Sequence, residues 1–288
     1  MGQLVDEHAR LVSNENVGPR LHLMRLEAPV ISNAIKPGQF IHIKVEGADS
    51  HILRRPFSVY AADTNEGILD VLYQEVGSIT KYMPTLREGF ADIIGPIGNT
   101  WMTSGALSVP GASPCAKPDE RESLSPSFGQ LRALVVGGGV GAAPLFMLTQ
   151  KLHEAGCALD VVLGAQTEQA LVCRTRYEVL LGCNPLCATD DGTYGRAGFC
   201  TSLVQERLAE GSTADGKPYD FLAVCGPEPL MKIVASMALE AGVPCEVSME
   251  KRMACGVGAC LSCVVDTVDG KRRSCVDGPI FDARKVVW

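Results

Sequence analysis

One short segment constrains this 288-residue chain more than any other: MACGVGACLSC near the C-terminus, followed after eleven intervening residues by Cys275. It sets Cys255, Cys260, Cys263 and Cys275 in the order C-x4-C-x2-C…C. That is the spacing of a plant-type [2Fe–2S] site, in which two irons need four thiolates converging from a tight loop. Gly256 and Gly258 let the backbone curl where side chains would clash, and they leave amide N–H groups free to face the sulfurs and tune their potential. Structural zinc usually takes two C-x2-C hooks, and only Cys260–Cys263 forms one here. Zinc and free thiols stand as the alternative readings. The tail has too little apolar content for its own core, so another part of the chain must hold it.

Composition narrows the remaining possibilities. The net charge of -7 disfavours phosphate backbones, and with them nucleic acid. The stretch MGQLVDEHARLVSNENV has no apolar core of a leader and no cleavage pattern. Asp6 stands where an acylation motif after Met1-Gly2 needs Ser or Thr. No apolar run is long enough to span a bilayer. Twelve cysteines then suit a reducing cytosol, where thiols are core fillers, metal ligands or redox groups. The eight outside the tail are scattered and read as small hydrophobes for the most part, Cys115 being the one expected at the surface. The five histidines, His8, His22, His42, His51 and His153, are likewise scattered and read as structural or exposed.

The chain changes character along its length. Residues 1–103 carry alternating or β-branched runs at Leu21–Glu27, Gln39–Val45, Pro56–Ala62 and Ile68–Val76, punctuated by Gly and Pro. These predict an antiparallel barrel or sandwich, with one short helix after Gly77. Residues 104–130 are rich in Pro, Ser, Gly and charge and read as a linker or insert. Residues 131–245 alternate apolar strands with helical stretches, the pattern of a parallel, Rossmann-like α/β domain. Residues 246–288 form the cysteine-bearing region. The expected fold class is therefore all-β plus α/β: an antiparallel β-barrel, a Rossmann-like parallel domain and a C-terminal [2Fe–2S] subdomain.

Two stretches carry further chemistry. In Leu53–Tyr60, LRRPFSVY, Arg55 offers a fixed fork for a pyrophosphate, and Ser58 offers a hydroxyl, sharing the face of Arg55 only if the strand kinks at Pro56. Gly77-Ser78-Ile79-Thr80 precedes the short helix, whose free N–H groups attract phosphate. Taken alone, the first stretch is a strand with two arginines. In the second domain, VVGGGVGAAP follows a strand and opens a helix. Gly137, Gly139 and Ala142 fit G-x-G-x-x-A, with Gly138 and Gly141 between them, a dinucleotide fingerprint. The bland alternative is turn chemistry at a strand end. Cys225-Gly226-Pro227 ends a later strand, where ligands of open α/β sheets bind; a buried strand-end cysteine before a helix is the alternative. Glu168 follows the second strand of this domain with no cation before Arg174. A carboxylate there repels a 2′-phosphate and favours NAD over NADP.

The first stretch resembles the flavin-binding barrel of the ferredoxin–NADP reductase superfamily. The resemblance implies that Arg55, Pro56, Phe57 and Ser58 meet the flavin and ribityl phosphate of FAD, and that Leu72, Tyr73 and Gln74 lie on the next contacting strand. Gly77, Ser78 and Thr80 would hold the pyrophosphate; the family often has Gly directly before the Thr, where this chain has Ile79. The same resemblance puts Cys225, with Gly226 and Pro227, where nicotinamide and flavin meet, Cys225 being the candidate catalytic residue. The order of all these motifs, and the tail MEKRMACGVGACLSCVV…RRSCVDGPIFDARKVVW, resemble the electron-transfer subunits of NAD-linked dihydroorotate dehydrogenases. The resemblance covers nearly the whole chain except 104–130. It implies a separate FMN-containing catalytic subunit as partner, a complex of two subunits of each kind, and electrons passing from that FMN through the cluster and FAD to NAD. No acid–base catalytic set is needed for this chemistry. Related subunits of electron-bifurcating or sulfur-reducing complexes are the alternative within the superfamily. A cluster-bearing regulator that senses NAD or flavin is the alternative outside it, separable by steady NADH oxidation with an artificial acceptor.

Overall fold

A computed structural model describes residues 4–47, 52–102 and 131–288. The 104–130 insert and Cys115 lie outside these residues.

The first part is all antiparallel. Its elements are β1 (Val5–Gly18), β2 (Leu21–Glu27), the short helix α1 (Pro29–Ala34), β3 (Phe40–Val45), β4 (Arg55–Ser58), β5 (Ala61–Asp63), β6 (Ile68–Gln74), α2 (Ser78–Tyr82) and β7 (Phe90–Ile97). The sheet runs β4-β3-β7-β1-β2-β6-β5. Its two edge strands follow one another in sequence, and Tyr60 N bonds Asp70 O just beyond β4, so the sheet curls towards closure. Curling explains β6, which is buried at every residue from Ile68 to Tyr73 rather than at alternate ones. A strand inside a closing barrel with a second domain on its outer face has no wet side. Ile41, Ile43, Leu69, Val71 and Ile93 fill the barrel core.

The second part is doubly wound. Its elements are β8 (Arg132–Gly138), α3 (Ala143–Glu154), β9 (Ala158–Ala165), α4 (Arg174–Leu181), β10 (Leu186–Thr189), β11 (Arg196–Ala197), α5 (Thr201–Glu210), β12 (Phe221–Cys225), α6 (Glu228–Glu240) and β13 (Cys245–Ser248). The tail adds the hairpin β14 (Val264–Thr267) with β15 (Gly270–Arg273), and then β16 (Ile280–Asp282). The sheet order is β11-β10-β9-β8-β12-β13-β16, parallel except for β16. The chain runs outward from β8 on one side and resumes beside it with β12. The switch point thus lies between β8 and β12, and crevices at such points bind ligands. Ala133 to Val136 of β8 are fully buried, as a strand covered on both faces must be. Leu145 and Leu148 of α3 pack on one face of the sheet, and Val204 of α5 with Val234 of α6 pack on the other.

Two joints set the parts against each other. Asp70 of β6 is buried and pairs with Arg25 at 3.2 Å and with Arg176 of α4 at 2.5 Å. Arg176 also lies over the Tyr60 ring, 4.6 Å from its centroid, and Tyr60 stacks edge-on against Phe146 of α3. The other joint ties the tail to the barrel. Asn99, just past β7, donates to Asp277 O and Ile280 O and accepts from Ile280 N. Through β16 and Asn99 the tail gains the anchor that its own composition lacks.

Candidate functional site

The strand expected to meet a flavin is β4. It pairs with β3 in register, Phe40 opposite Ser58 and His42 opposite Pro56. Directly opposed residues share a sheet face. Pro56 and Ser58 therefore leave on the face of Phe40 and His42, while Arg55 and Phe57 leave on the face of Ile43 and Ile41, towards the barrel core. Arg55 and Ser58 lie on opposite faces. The Arg55 guanidinium folds back on its own loop, donating to Leu53 O at 2.7 Å, and Phe57 meets Tyr73 edge-on. Leu72 and Tyr73 are buried; the Tyr73 hydroxyl donates to Asn14 and burial pushes it up to about 12. The next residue, Gln74, is exposed. Gly77 caps α2, and the Thr80 hydroxyl accepts from the Val76 and Gly77 amides at 2.9 Å each. That hydroxyl organises the turn, and Ser78 opens the helix.

The dinucleotide loop is built by close backbone contact. In the ladder Gly137 lies beside Cys225. A Cβ on Gly141 would sit 2.6 Å from the Gly226 backbone and 2.8 Å from Cys225 C; one on Gly138 would sit 2.4 Å from Leu230 and 3.1 Å from Pro227. Only glycines let the β8 turn and the β12 turn nest like this. Gly139 takes φ +56° in the turn between strand and helix. The two loops that the sequence singled out are thus one structure at the switch point. The Cys225 thiol is 2% exposed, and burial, with Glu250 adding, keeps it protonated far above the ordinary thiol range. At the strand end it offers bulk and shape rather than a thiolate. Glu168 stands exposed beyond β9, its amide bonded to Thr193. Arg174 lies over the Tyr194 ring at 4.1 Å and pairs with Glu178 at 3.4 Å, so it is already engaged.

The cysteine loop, 254–262, has no helix or strand and turns on three left-handed residues, Gly256 (φ +70°), Gly258 (φ +83°) and Leu261 (φ +59°). Its thiols fall into two pairs. Cys263 and Cys275 are buried, their sulfurs 3.4 Å apart; burial, with Cys263 adding, pushes Cys275 up to about 12. On the outer rim, Cys260 is exposed and hydrogen bonding with Ser262, then with Cys255, lowers it to about 6. The Val257 amide faces Cys255 Sγ at 3.4 Å, and Arg273 braces the loop by donating to Gly258 O at 3.1 Å. Among the described residues no three Cys, His, Asp or Glu side chains gather on one point for a single ion. Two thiol pairs around a glycine-lined turn are what a sulfide-bridged pair of irons needs, and soft thiolates suit iron–sulfur chemistry. The residues fit the cluster.

The sequence reading missed two residues that build this region. His42 is 1% exposed and packs against the cysteine loop, with burial, then Arg54 and Arg55, lowering it to about 4. Asn99 pins the tail. Neither lies in a local motif: each acts across a long stretch of chain, and the only trace in the sequence was a polar residue in an apolar strand (QFIHIKV) and one in a glycine turn (GPIGNTW). Of the seven described cysteines outside the tail, six are buried and Cys183 is exposed; all eleven described cysteines are free of disulfides.

With this geometry in hand, comparison with known proteins decides the family. Residues 250–287 match the model of the iron–sulfur cluster binding domain of dihydroorotate dehydrogenase B, and residues 135–236 match that of an oxidoreductase NAD-binding domain. The electron transfer subunit of dihydroorotate dehydrogenase B (NAD(+)) from Desulforamulus reducens is 32% identical, with 97% of each chain covered. The subunit of the same name from Geobacillus thermodenitrificans is also 32% identical, with 98% of each covered. The chain belongs to this family of electron-transfer subunits. Among solved structures, the NADH-dependent reduced ferredoxin–NADP oxidoreductase, studied for flavin-based electron bifurcation, superposes with a TM-score of 0.79 at 26% identity over 100% of this chain and 92% of that one. The cytochrome b5 reductase domain of Ulva prolifera nitrate reductase shares the fold at 16% identity, with a TM-score of 0.59 over 84% of this chain and 97% of that one. No helix among the described residues is long and apolar enough to cross a membrane.

Proposed function

We propose that this chain relays electrons from the FMN of a dihydroorotate dehydrogenase catalytic subunit, through its [2Fe–2S] cluster and FAD, to NAD+. The observation that carries this reading is the position of the barrel. The cysteine loop packs on the β3–β4 face that bears Pro56 and Ser58, while β5 and β6 touch α3 and the glycine turn. A flavin on this barrel lies between a one-electron and a two-electron carrier, and FAD supplies the exchange between the two modes.

Each residue has a task in this scheme. Arg55, Pro56, Phe57 and Ser58, with the β6 backbone at Leu72, Tyr73 and Gln74, seat the flavin; Gly77, Ser78 and Thr80 hold its pyrophosphate. Gly137, Gly138, Gly139 and Gly141 admit the NAD pyrophosphate to the start of α3. Cys225, Gly226 and Pro227 shape the floor under the nicotinamide. Cys255, Cys260, Cys263 and Cys275 ligate the cluster, whose exposed rim at Cys260 meets the catalytic subunit. Glu168, and an Arg174 already committed to Tyr194 and Glu178, favour NAD over NADP. Two copies of each subunit assemble, in the cytoplasm.

The test combines the anaerobically purified chain with the FMN subunit and follows NAD+ reduction by dihydroorotate. NADH is expected only when both subunits are present. Rapid NADPH oxidation without dihydroorotate-linked NADH formation would leave the reductase standing and remove the pyrimidine assignment. The likeness to the NADH-dependent reduced ferredoxin–NADP oxidoreductase favours a second reading, a subunit of an electron-bifurcating complex, for which ferredoxin-linked NADH turnover is the corresponding assay.

A further inference from the structure

Among the described residues four buried side-chain polar atoms lack a hydrogen-bond partner, on His42, Tyr60, Trp101 and Thr167, and the ring of His42 lies against the cysteine loop. His42 is 1% exposed, and its Nε2 has no hydrogen-bond partner. A buried polar atom left bare costs about 1–3 kcal/mol, and native interiors seldom leave one so. A partner from outside the polypeptide accounts for it. The surroundings indicate which one. Phe40 and His42 leave β3 on the same face, and Phe40 packs with Cys263 and Cys275. Gly256, the residue after Cys255, approaches the imidazole so closely that a Cβ there would lie 2.7 Å from Nδ1. On its other flank His42 is paired with Pro56 of the flavin strand. The ring is wedged between that strand and the cysteine loop, and the acceptors such a loop gathers are sulfurs bearing negative charge.

We propose that His42 donates an N–H hydrogen bond to a sulfur of the [2Fe–2S] unit, and so raises the cluster's reduction potential while fixing the cysteine loop against the flavin strand. The inference rests on Cys255, Cys260, Cys263 and Cys275 holding that cluster. Hydrogen bonds to cluster sulfurs stabilise the added negative charge of the reduced state. His42 acts through the cluster and is a positioning residue.

The experiment measures the cluster's midpoint potential by EPR-monitored redox titration of the full chain carrying FAD, as wild type, His42→Phe and His42→Gln. Phe keeps an aromatic ring against Gly256 and removes the donor; Gln keeps an N–H. Phe is expected to make cluster reduction at least tenfold less favourable, a fall of ~59 mV for a one-electron couple. Gln should recover part of that fall, and the FAD potential should stay put in both. An unchanged potential in Phe, or a fall in Gln as deep as that in Phe, overturns the proposal. Should the Phe variant assemble no cluster, the wild-type chain decides, grown with 15N-histidine and examined by electron–nuclear double resonance of the reduced cluster. A coupled histidine nitrogen supports the proposal. A normal cluster signal without that coupling, or coupling to the flavin instead, overturns this proposal alone. A wild-type chain with no cluster signal sinks the cluster reading and this inference together.

Discussion

Two glycine-rich turns of this chain use glycine for opposite reasons. At Gly137–Gly141 the backbone is held by other backbone: Gly141 lies against Gly226 and Cys225, and Gly137 against Ala142. The strands beneath are buried and laddered, so the polypeptide builds this turn before any ligand arrives. At Cys255–Cys263 there is no ladder, and three residues sit at positive φ. One side of this turn rests on His42 and Arg273, and Cys260 faces outward. The first turn is held by the backbone of a neighbouring strand end, whereas the second is held by side chains from one side. The difference teaches that a glycine pattern in sequence records a shape without recording what enforces it.

Substitutions can break or sharpen that contrast. The largest effect is expected at Gly141→Ala, whose Cβ would sit 2.6 Å from the Gly226 backbone. Overpacking of this kind costs about 1–3 kcal/mol, so denaturant unfolding should register the loss whether or not iron is present, and calorimetry should find NADH binding gone. Equal stability with and without the substitution would mean that the two strand-end turns are not in contact. Gly256→Ala should cost less and in two separable parts. The left-handed backbone accounts for roughly 1–2 kcal/mol, and the clash with His42, 2.7 Å away, adds to it. Combining it with His42→Ala should relieve the second part only, which a double-mutant cycle reads directly. Strict additivity would place the ring away from the loop. The smallest effect belongs to Gly139→Ala, where φ is +56° but nothing lies within 4 Å of the new Cβ. Backbone strain alone, about 1 kcal/mol, should appear in unfolding curves, leaving cluster and flavin content unchanged.

Much of the fold was legible because its strands and helices carry their own periodicity. β10 (Leu186–Thr189), α5 (Thr201–Glu210) and α6 (Glu228–Glu240) fall in the region 131–245, which alternates apolar strands with helical stretches. The two strand-end turns at Gly137–Gly141 and Cys225–Pro227 were legible for a related reason: each is a short local pattern of glycine and proline where a strand gives way to a helix. What escaped was long-range. Nothing near Asn99 in sequence announces that it will bond Ile280, and nothing around His42 announces the contact with Gly256. The region 246–288 read as a separate piece, yet β16 completes the edge of the parallel sheet beside β13. A strand of three residues is too short to show a period. The face of Ser58 was open for a similar reason, since a proline in a strand allows a kink, and the regular pairing of β4 with β3 settles it.

The order of carriers is the central claim, and Cys260→Ser tests it most directly. Cys260 is exposed on the rim of its loop, so its replacement removes no buried side chain. The variant, assembled with the catalytic subunit, is mixed anaerobically with NADH in a stopped-flow instrument while FAD and the partner's FMN are followed separately. The account predicts FAD reduction at close to the wild-type rate and no onward reduction of FMN. Loss of FAD reduction together with FMN reduction would contradict it, because the cluster would then stand between NADH and FAD rather than beyond them.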